Sequence, residues 1–255
     1  MPVAEGNYVL LLTSDGRSYL VEVKDTYFHT HKDSVYLKEL IGKEFGEIIL
    51  GKNGTKFYLV KPSLYDFLMK VERATQVIYP KDIGYILQKL DVGPGKVVLE
   101  CGGGSGALTT AFAFMVGEDG KVISYEKEEK FQKIAQKNLK KIGLLNRVIF
   151  KNKEVKEAFE EKEVEAVFLD LKEPWVLIKA AWEALKGGHF LGILVPTTNQ
   201  VSRCLTELEK YPFVDIEVVE ILLRKYKTNP ERLRPEDRMV AHTGFLIFAK
   251  KVWEK

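Results

Sequence analysis

Cysteine is nearly absent: the 255 residues hold two, Cys101 and Cys204. They form no motif and cannot staple a chain of this length. This excludes a disulfide scaffold and points to two small buried hydrophobes in a reducing cytoplasm. Histidine is scarce too, with four in the chain. His29-x-His31 has no Cys or His partner at ligand spacing, so it reads as a surface or strand pair and no metal is expected. No apolar run is long enough to span a membrane. The run Tyr8–Leu12 is cut off by Asp15 and Arg17, so no signal peptide is expected at the start. The expectation is a soluble, cytoplasmic protein. Charge of one sign is nearly balanced, with a net +3, which does not by itself indicate nucleic acid.

Hydrophobic residues make up 45% and charged residues 29%, enough for a sizeable core and a solvated surface and unlike a disordered chain. Residues 1–70 read as a small N-terminal β-rich domain. Tyr8–Thr13 and Ser18–Val23 flank Ser14-Asp15-Gly16-Arg17, a hairpin signal, and Ile48–Leu50 and Lys56–Val60 add two short strands. Pro62 and the polar stretch up to Gln76 lead out of it. In residues 71–255 strands and helices alternate. Helices are expected over Asp82–Leu90, Ala107–Val116, Glu128–Ile142, Trp175–Leu185 and Gln200–Lys210. Strands are expected over Val97–Glu100, Lys121–Tyr125, Arg147–Phe150, Ala166–Leu169, Gly188–Val195, Val214–Leu222 and Gly244–Ala249. Alternation predicts an α/β fold with a Rossmann-like parallel sheet. The last two strands have no helix between them and should pair antiparallel.

The segment Glu100-Cys-Gly-Gly-Gly-Ser-Gly106 leaves a strand and opens a helix, at the sheet edge where such folds bind ligands. Gly102-x-Gly104-x-x-Ala107 also fits a dinucleotide fingerprint, with Glu126 as the ribose acid. Three features favour S-adenosylmethionine. Glu100 lies two residues before Gly102, where a carboxylate would oppose a pyrophosphate but suits the cationic methionine half of the methyl donor. Glu126 ends the next strand, where one carboxylate can accept both ribose hydroxyls. The sheet is expected to end in an antiparallel pair, as methyltransferase sheets do.

Asp170 ends the strand Ala166–Leu169 beside the glycine loop; taken alone it is a helix cap as readily as a functional acid. Four segments occur in order: Gln76-Val-Ile-Tyr-Pro-Lys-Asp82, Glu100-x-Gly-x-Gly-Ser-Gly106, Asp170-Leu-x-x-Pro174 and His242-Thr-Gly-Phe245. Together they resemble the tRNA adenine-N1 methyltransferases that modify the T-loop adenosine (position 58 in tRNA numbering), and the resemblance covers nearly the whole chain. The glycine loop is generic to methyltransferases; the Tyr-Pro-Lys-Asp and Asp-Leu-x-x-Pro segments are more specific. The resemblance implies donor contacts at Gln76, Ser105, Gly106, Ala107, Leu108 and Glu126, with Phe131 bordering the ribose. It puts Glu154 or Val155 against the donor adenine, although Asn152-Lys-Glu-Val155 lacks the usual acidic pattern in clear register. It also implies a homotetramer acting on tRNA. On that reading Asp170 accepts from the exocyclic amino group of the target adenine, and Tyr79 is either its stacking platform or a core aromatic.

Arg224, Lys225, Lys227, Arg232, Arg234 and Arg238 cluster between the last two strands. They form either a solvated loop or a phosphate contact, and their position near the ligand edge favours the second. Trp175 and Trp182 read as core or subunit contacts, and His242 supports the site or merely starts a strand. The competing functional readings are a methyltransferase of the same fold acting on a small molecule or protein, a non-catalytic tRNA-binding subunit, and a nucleotide-dependent oxidoreductase.

Overall fold

The computed structural model describes residues 2–72 and 76–253; residues 73–75, part of the polar stretch leading to Gln76, lie outside it. The chain divides into two compact units, Met1–Val71 and Glu72–Lys255.

The first unit contains β1 (Tyr8–Thr13), β2 (Ser18–Glu22), β3 (Tyr27–His29), β4 (Ser34–Tyr36), β5 (Ile48–Leu50), β6 (Lys56–Val60) and α1 (Leu64–Met69). Four strands form an antiparallel sheet in the order β2-β1-β6-β5, and β3 pairs with β4 in a separate hairpin. The Asp15-Gly16 turn closes β1 onto β2 as its residue types predict, with Tyr8 opposite Glu22. Alternate residues Val9, Leu11, Val21, Phe57 and Leu59 fill the core of this unit. The β3–β4 hairpin and α1 were not anticipated. Three-residue strands are too short for a period to register. Helix α1 hides in the polar stretch, yet Ser63 and Asp66 form a capping box that starts it.

The second unit opens with α2 (Pro80–Lys89), followed by β7 (Val97–Cys101), α3 (Ala107–Met115), β8 (Lys121–Tyr125), α4 (Glu129–Lys141), β9 (Val148–Lys151) and β10 (Val164–Leu169). After these come α5 (Ile178–Ala184), β11 (Leu185–Val195), α6 (Thr198–Leu208), β12 (Phe213–Val219) and β13 (Phe245–Lys251). The sheet order is β12-β13-β11-β10-β7-β8-β9. Strands β7 to β11 run parallel, and β13 lies antiparallel between β11 and β12. This is the α/β arrangement expected from alternation, with its antiparallel end. Strand β10 is apolar on both faces because both are covered: Phe168 meets Phe112 of α3 edge-on at 6.3 Å, while Val167 and Leu169 join Ile178 and Ala181 of α5.

Several boundaries shift by one to three residues, the strand expected to end at Leu222 ending at Val219, and two further differences have a local cause. The helix expected over Trp175–Leu185 begins as a 3-10 turn at Pro174–Leu177 and becomes α-helical only at Ile178. Strand β11 starts at Leu185, before Gly187-Gly188, because Leu185 already pairs with Val164 across a register shift. Trp175 and Trp182 both pack against the core cluster.

Candidate functional site

The parallel strands β7, β8 and β10 end together, and the loops leaving them build the site. Leaving β7, the backbone turns sharply at Gly102, with φ +96°. A Cβ there would run into the Asp170 carbonyl, so glycine is required by conformation and by space. Asp170 in turn donates its N–H to the Cys101 carbonyl at 2.9 Å, holding the ends of β7 and β10 side by side. Gly106, at φ +81°, is the N-cap of α3. A Cβ on it would come within 2.6 Å of the Ala135 methyl, so this glycine lets α3 and α4 approach.

A pocket at this edge is lined by Gln76, Val77, Ile78, Glu100, Gly102, Gly103, Gly104, Ser105, Ala107, Leu108 and Asp170. Most of the expected donor contacts therefore share one cavity. Val77, Ile78 and Gly103 were missed: nothing in a Val-Ile pair distinguishes a pocket wall from core. Tyr79, Gly106, Glu126, Phe131, Glu154 and Val155 are not among its lining residues. Tyr79 is half-buried and caps α2, whose first turn its carbonyl accepts. Phe131 is half-buried on α4 with Lys130 over its ring. Glu154 is exposed and faces Lys127 and Lys156, while Val155 packs against the core cluster.

Three carboxyl groups gather here. Glu100 is buried, and its Oε2 accepts from Thr109 Oγ1 at 2.5 Å and from Ser124 Oγ at 2.9 Å. Glu126 spans the loop: Oε2 accepts the Gly104 N–H and Oε1 the Glu128 N–H, both at 2.9 Å. Each of its oxygens keeps acceptor capacity for a further hydroxyl. Asp170 is half-buried at the pocket wall. Burial pushes the Glu100 carboxyl up to about 7, against the pull of its two hydroxyl donors and with the help of Glu126. Burial, then the charges of Glu100 and Glu126, pushes Asp170 up to about 7 as well. Like charges crowded in poor solvation are stabilised by an incoming cation. The cradle of glycines and the acidic donor set thus fit a cationic, ribose-bearing ligand and oppose a pyrophosphate.

The basic cluster lies on an exposed arm, residues 222–242, between β12 and β13. Val195 at the end of β11 pairs with Phe245 at the start of β13, so this arm leaves the same sheet edge as the glycine loop. Lys227 and Arg234 are paired with Asp237, each at 2.6 Å. Among the described residues, Arg224, Lys225, Arg232 and Arg238 make no ion pair. His242 touches Glu220 Oε1 at 2.6 Å and the Pro196 carbonyl at 2.8 Å. The Glu220 contact, then the Pro196 carbonyl, raises its pKa. His31 contacts Arg17, and His29 stacks on Tyr27.

Sheet order, glycine cradle and acidic pocket define an S-adenosylmethionine-dependent methyltransferase. Comparison with known proteins narrows this. Residues 56–239 match the family described as tRNA methyltransferase complex GCD14 subunit, and the chain belongs to that family of tRNA adenine-N1 methyltransferases. A relative from Methanocaldococcus jannaschii, named tRNA (adenine(57)-N(1)/adenine(58)-N(1))-methyltransferase TrmI, is 33% identical, across 95% of this chain and 94% of its own length. A solved Thermotoga maritima structure, described as a SAM-dependent O-methyltransferase, is 47% identical with TM-score 0.94, covering 99% of this chain and 96% of its own. The Aquifex aeolicus tRNA (m1A58) methyltransferase TrmI is 40% identical with TM-score 0.87, covering 100% of both chains.

Proposed function

We propose that this chain transfers a methyl group from S-adenosylmethionine to N1 of the T-loop adenosine at position 58 of tRNA, as a cytoplasmic homotetramer. The observation that carries the reading is a glycine-walled pocket lined by Glu100 and Asp170, with Glu126 bound to the Gly104 N–H of its wall. The names of the Methanocaldococcus and Aquifex relatives supply the substrate.

Gln76, Gly102, Gly104, Ser105, Ala107 and Leu108 hold the donor, with Gly106 shaping the loop from below. Glu126 takes the ribose hydroxyls, and Phe131 borders the ribose. Glu154 or Val155 meets the donor adenine, the exposed Glu154 being the better placed for polar contact. Bound S-adenosylmethionine supplies an electrophilic methyl group on a cationic sulfur. Adenine N1 attacks with its own lone pair, so no residue needs to remove a proton first. The protein's work is placement and charge. Asp170 accepts from the exocyclic amino group and stabilises the positive charge arriving on the ring. Guanine carries a carbonyl there, so the same contact selects adenine. Tyr79 stacks on the extruded base. Arg224, Lys225, Lys227, Arg232, Arg234 and Arg238 hold tRNA phosphates. Glu100 supports the pocket floor and adds its charge to the donor's surroundings.

The test is to incubate unmodified tRNA with labelled donor and map the product nucleoside. The expected product is N1-methyladenosine at position 58. Methylated ribose, or label transferred without tRNA, would overturn the reading.

A further inference from the structure

Both ends of the basic arm meet at one ammonium group. Lys81 lies in the first turn of α2, three residues beyond Ile78 of the pocket wall. Its Nζ donates to the Ile221 carbonyl at 2.7 Å, to Thr243 Oγ1 at 2.6 Å and to Asp82 Oδ1 at 2.8 Å. The Thr243 hydroxyl in turn donates to the other Asp82 oxygen at 2.8 Å. All three ammonium protons are used, and both carboxylate oxygens are occupied. The side chains of Lys81 and Asp82 are only 7% and 3% exposed.

Between Ile221 and Thr243 the chain is almost wholly exposed. It is held together by its own Tyr226–Pro235 bridge and by the Asp237 ion pairs. Such a ribbon can keep its shape while its direction swings. Among the described residues, its two ends are what buried groups fasten to the sheet domain. His242 adds an outer clasp to Pro196, and Tyr85 and Lys89 of α2 hold Glu217 on β12. A buried ion pair adds little net stability once desolvation is counted; its best-attested use is to specify one arrangement over others. Here the arrangement specified is the angle at which the basic arm leaves the pocket edge.

We propose that Lys81, Asp82 and Thr243 are positioning residues that set the direction of the arm, so that tRNA held by its arginines delivers the target base to the Asp170 pocket. The proposal rests on the tRNA reading above. None of the three touches the pocket; they act through the arm.

Thr243→Val keeps the side-chain shape and removes the hydroxyl, while Thr243→Ser keeps the hydroxyl. For Thr243→Val, donor affinity should stay at the wild-type value. The KM for tRNA should rise and the single-turnover rate fall, each by roughly three- to thirtyfold. Thr243→Ser should restore both. Amide hydrogen exchange over residues 222–242 should quicken in the Val variant while residues 97–125 stay protected. With Arg232 and Arg234 already replaced by alanine, Thr243→Val should cost less tRNA affinity than it does in the wild type, because fewer phosphate contacts then depend on the direction of the arm. A lowered melting temperature with unchanged tRNA KM and rate would overturn the proposal, as would an additive loss in the triple variant. If the wild-type chain methylates no tRNA, the functional reading fails instead. Hydrogen exchange, which needs no tRNA, then decides the anchoring on its own, and unchanged exchange over 222–242 would overturn it.

Discussion

At Asp170 burial and function pull in opposite directions. Burial and two neighbouring carboxylates favour the protonated form, but the proposed role needs the charge. The bound donor resolves this, because a cation in the pocket favours carboxylate over carboxyl. In the donor-free protein burial pushes the Glu100 and Asp170 carboxyls up to about 7. Binding a cation lowers both values and releases protons, so donor affinity should climb between about pH 6 and pH 8 and then level off. The demethylated product, with a neutral sulfur, should climb less. Calorimetry in buffers of differing ionisation heat would measure the released protons; a donor affinity flat across this range would contradict the charge argument. Asp170→Asn keeps shape and one acceptor oxygen but loses the charge. It should fold and bind tRNA, while single-turnover methyl transfer at saturating donor and tRNA falls by roughly ten- to a thousandfold. A near wild-type rate would reduce Asp170 to a structural cap.

At the scale of elements, the strands and helices that carry the site were the most legible parts of the chain. Strands β7 and β10 are short apolar runs that end in an acid, and α3 follows its glycines directly, so the ligand edge could be located from residue types alone. The arm between β12 and β13 was legible only as a charge cluster. Lys227 and Arg234 are paired with Asp237 at the surface, while Arg224, Lys225, Arg232 and Arg238 make no ion pair among the described residues. Replacing Arg232 and Arg234 with alanine should weaken tRNA binding and make its dependence on salt shallower, because an arm that neutralises fewer phosphates displaces fewer counterions from the tRNA. Donor affinity should not change. A salt dependence as steep as the wild type's would mean the arm is solvated surface. The β3–β4 hairpin and α1 escaped because their signals are local: three-residue strands and a capping box outside any apolar period.

For the whole molecule, the edge strand β12 is one of the two borders of the large sheet, β9 being the other. Val214, Ile216 and Val218, on either side of a register shift in the strand, are 45%, 41% and 39% exposed. An apolar edge strand left in water invites pairing with another chain. We expect it to be covered in the proposed tetramer, so light scattering of dilute protein should give about four times the chain mass. A stable monomer would contradict the tetramer and confine tRNA contact to one subunit. None of the described helices is long and apolar enough to cross a membrane.

What the sequence determined by itself is what local chemistry determines. Glycine types at 102 and 106, an acid at each of two strand ends and the alternation of apolar runs specify a parallel sheet with a ligand loop, because backbone freedom and hydrophobic period act over a few residues. Tertiary structure alone decided the rest. Only packing shows that Glu100 is spoken for by Thr109 and Ser124, nine and twenty-four residues away in the chain. Only packing brings Val77 and Ile78 to the pocket wall and draws Lys81 to Ile221 and Thr243 across most of the second unit. Contacts of that kind depend on where the chain returns after folding, and no short-range pattern records it.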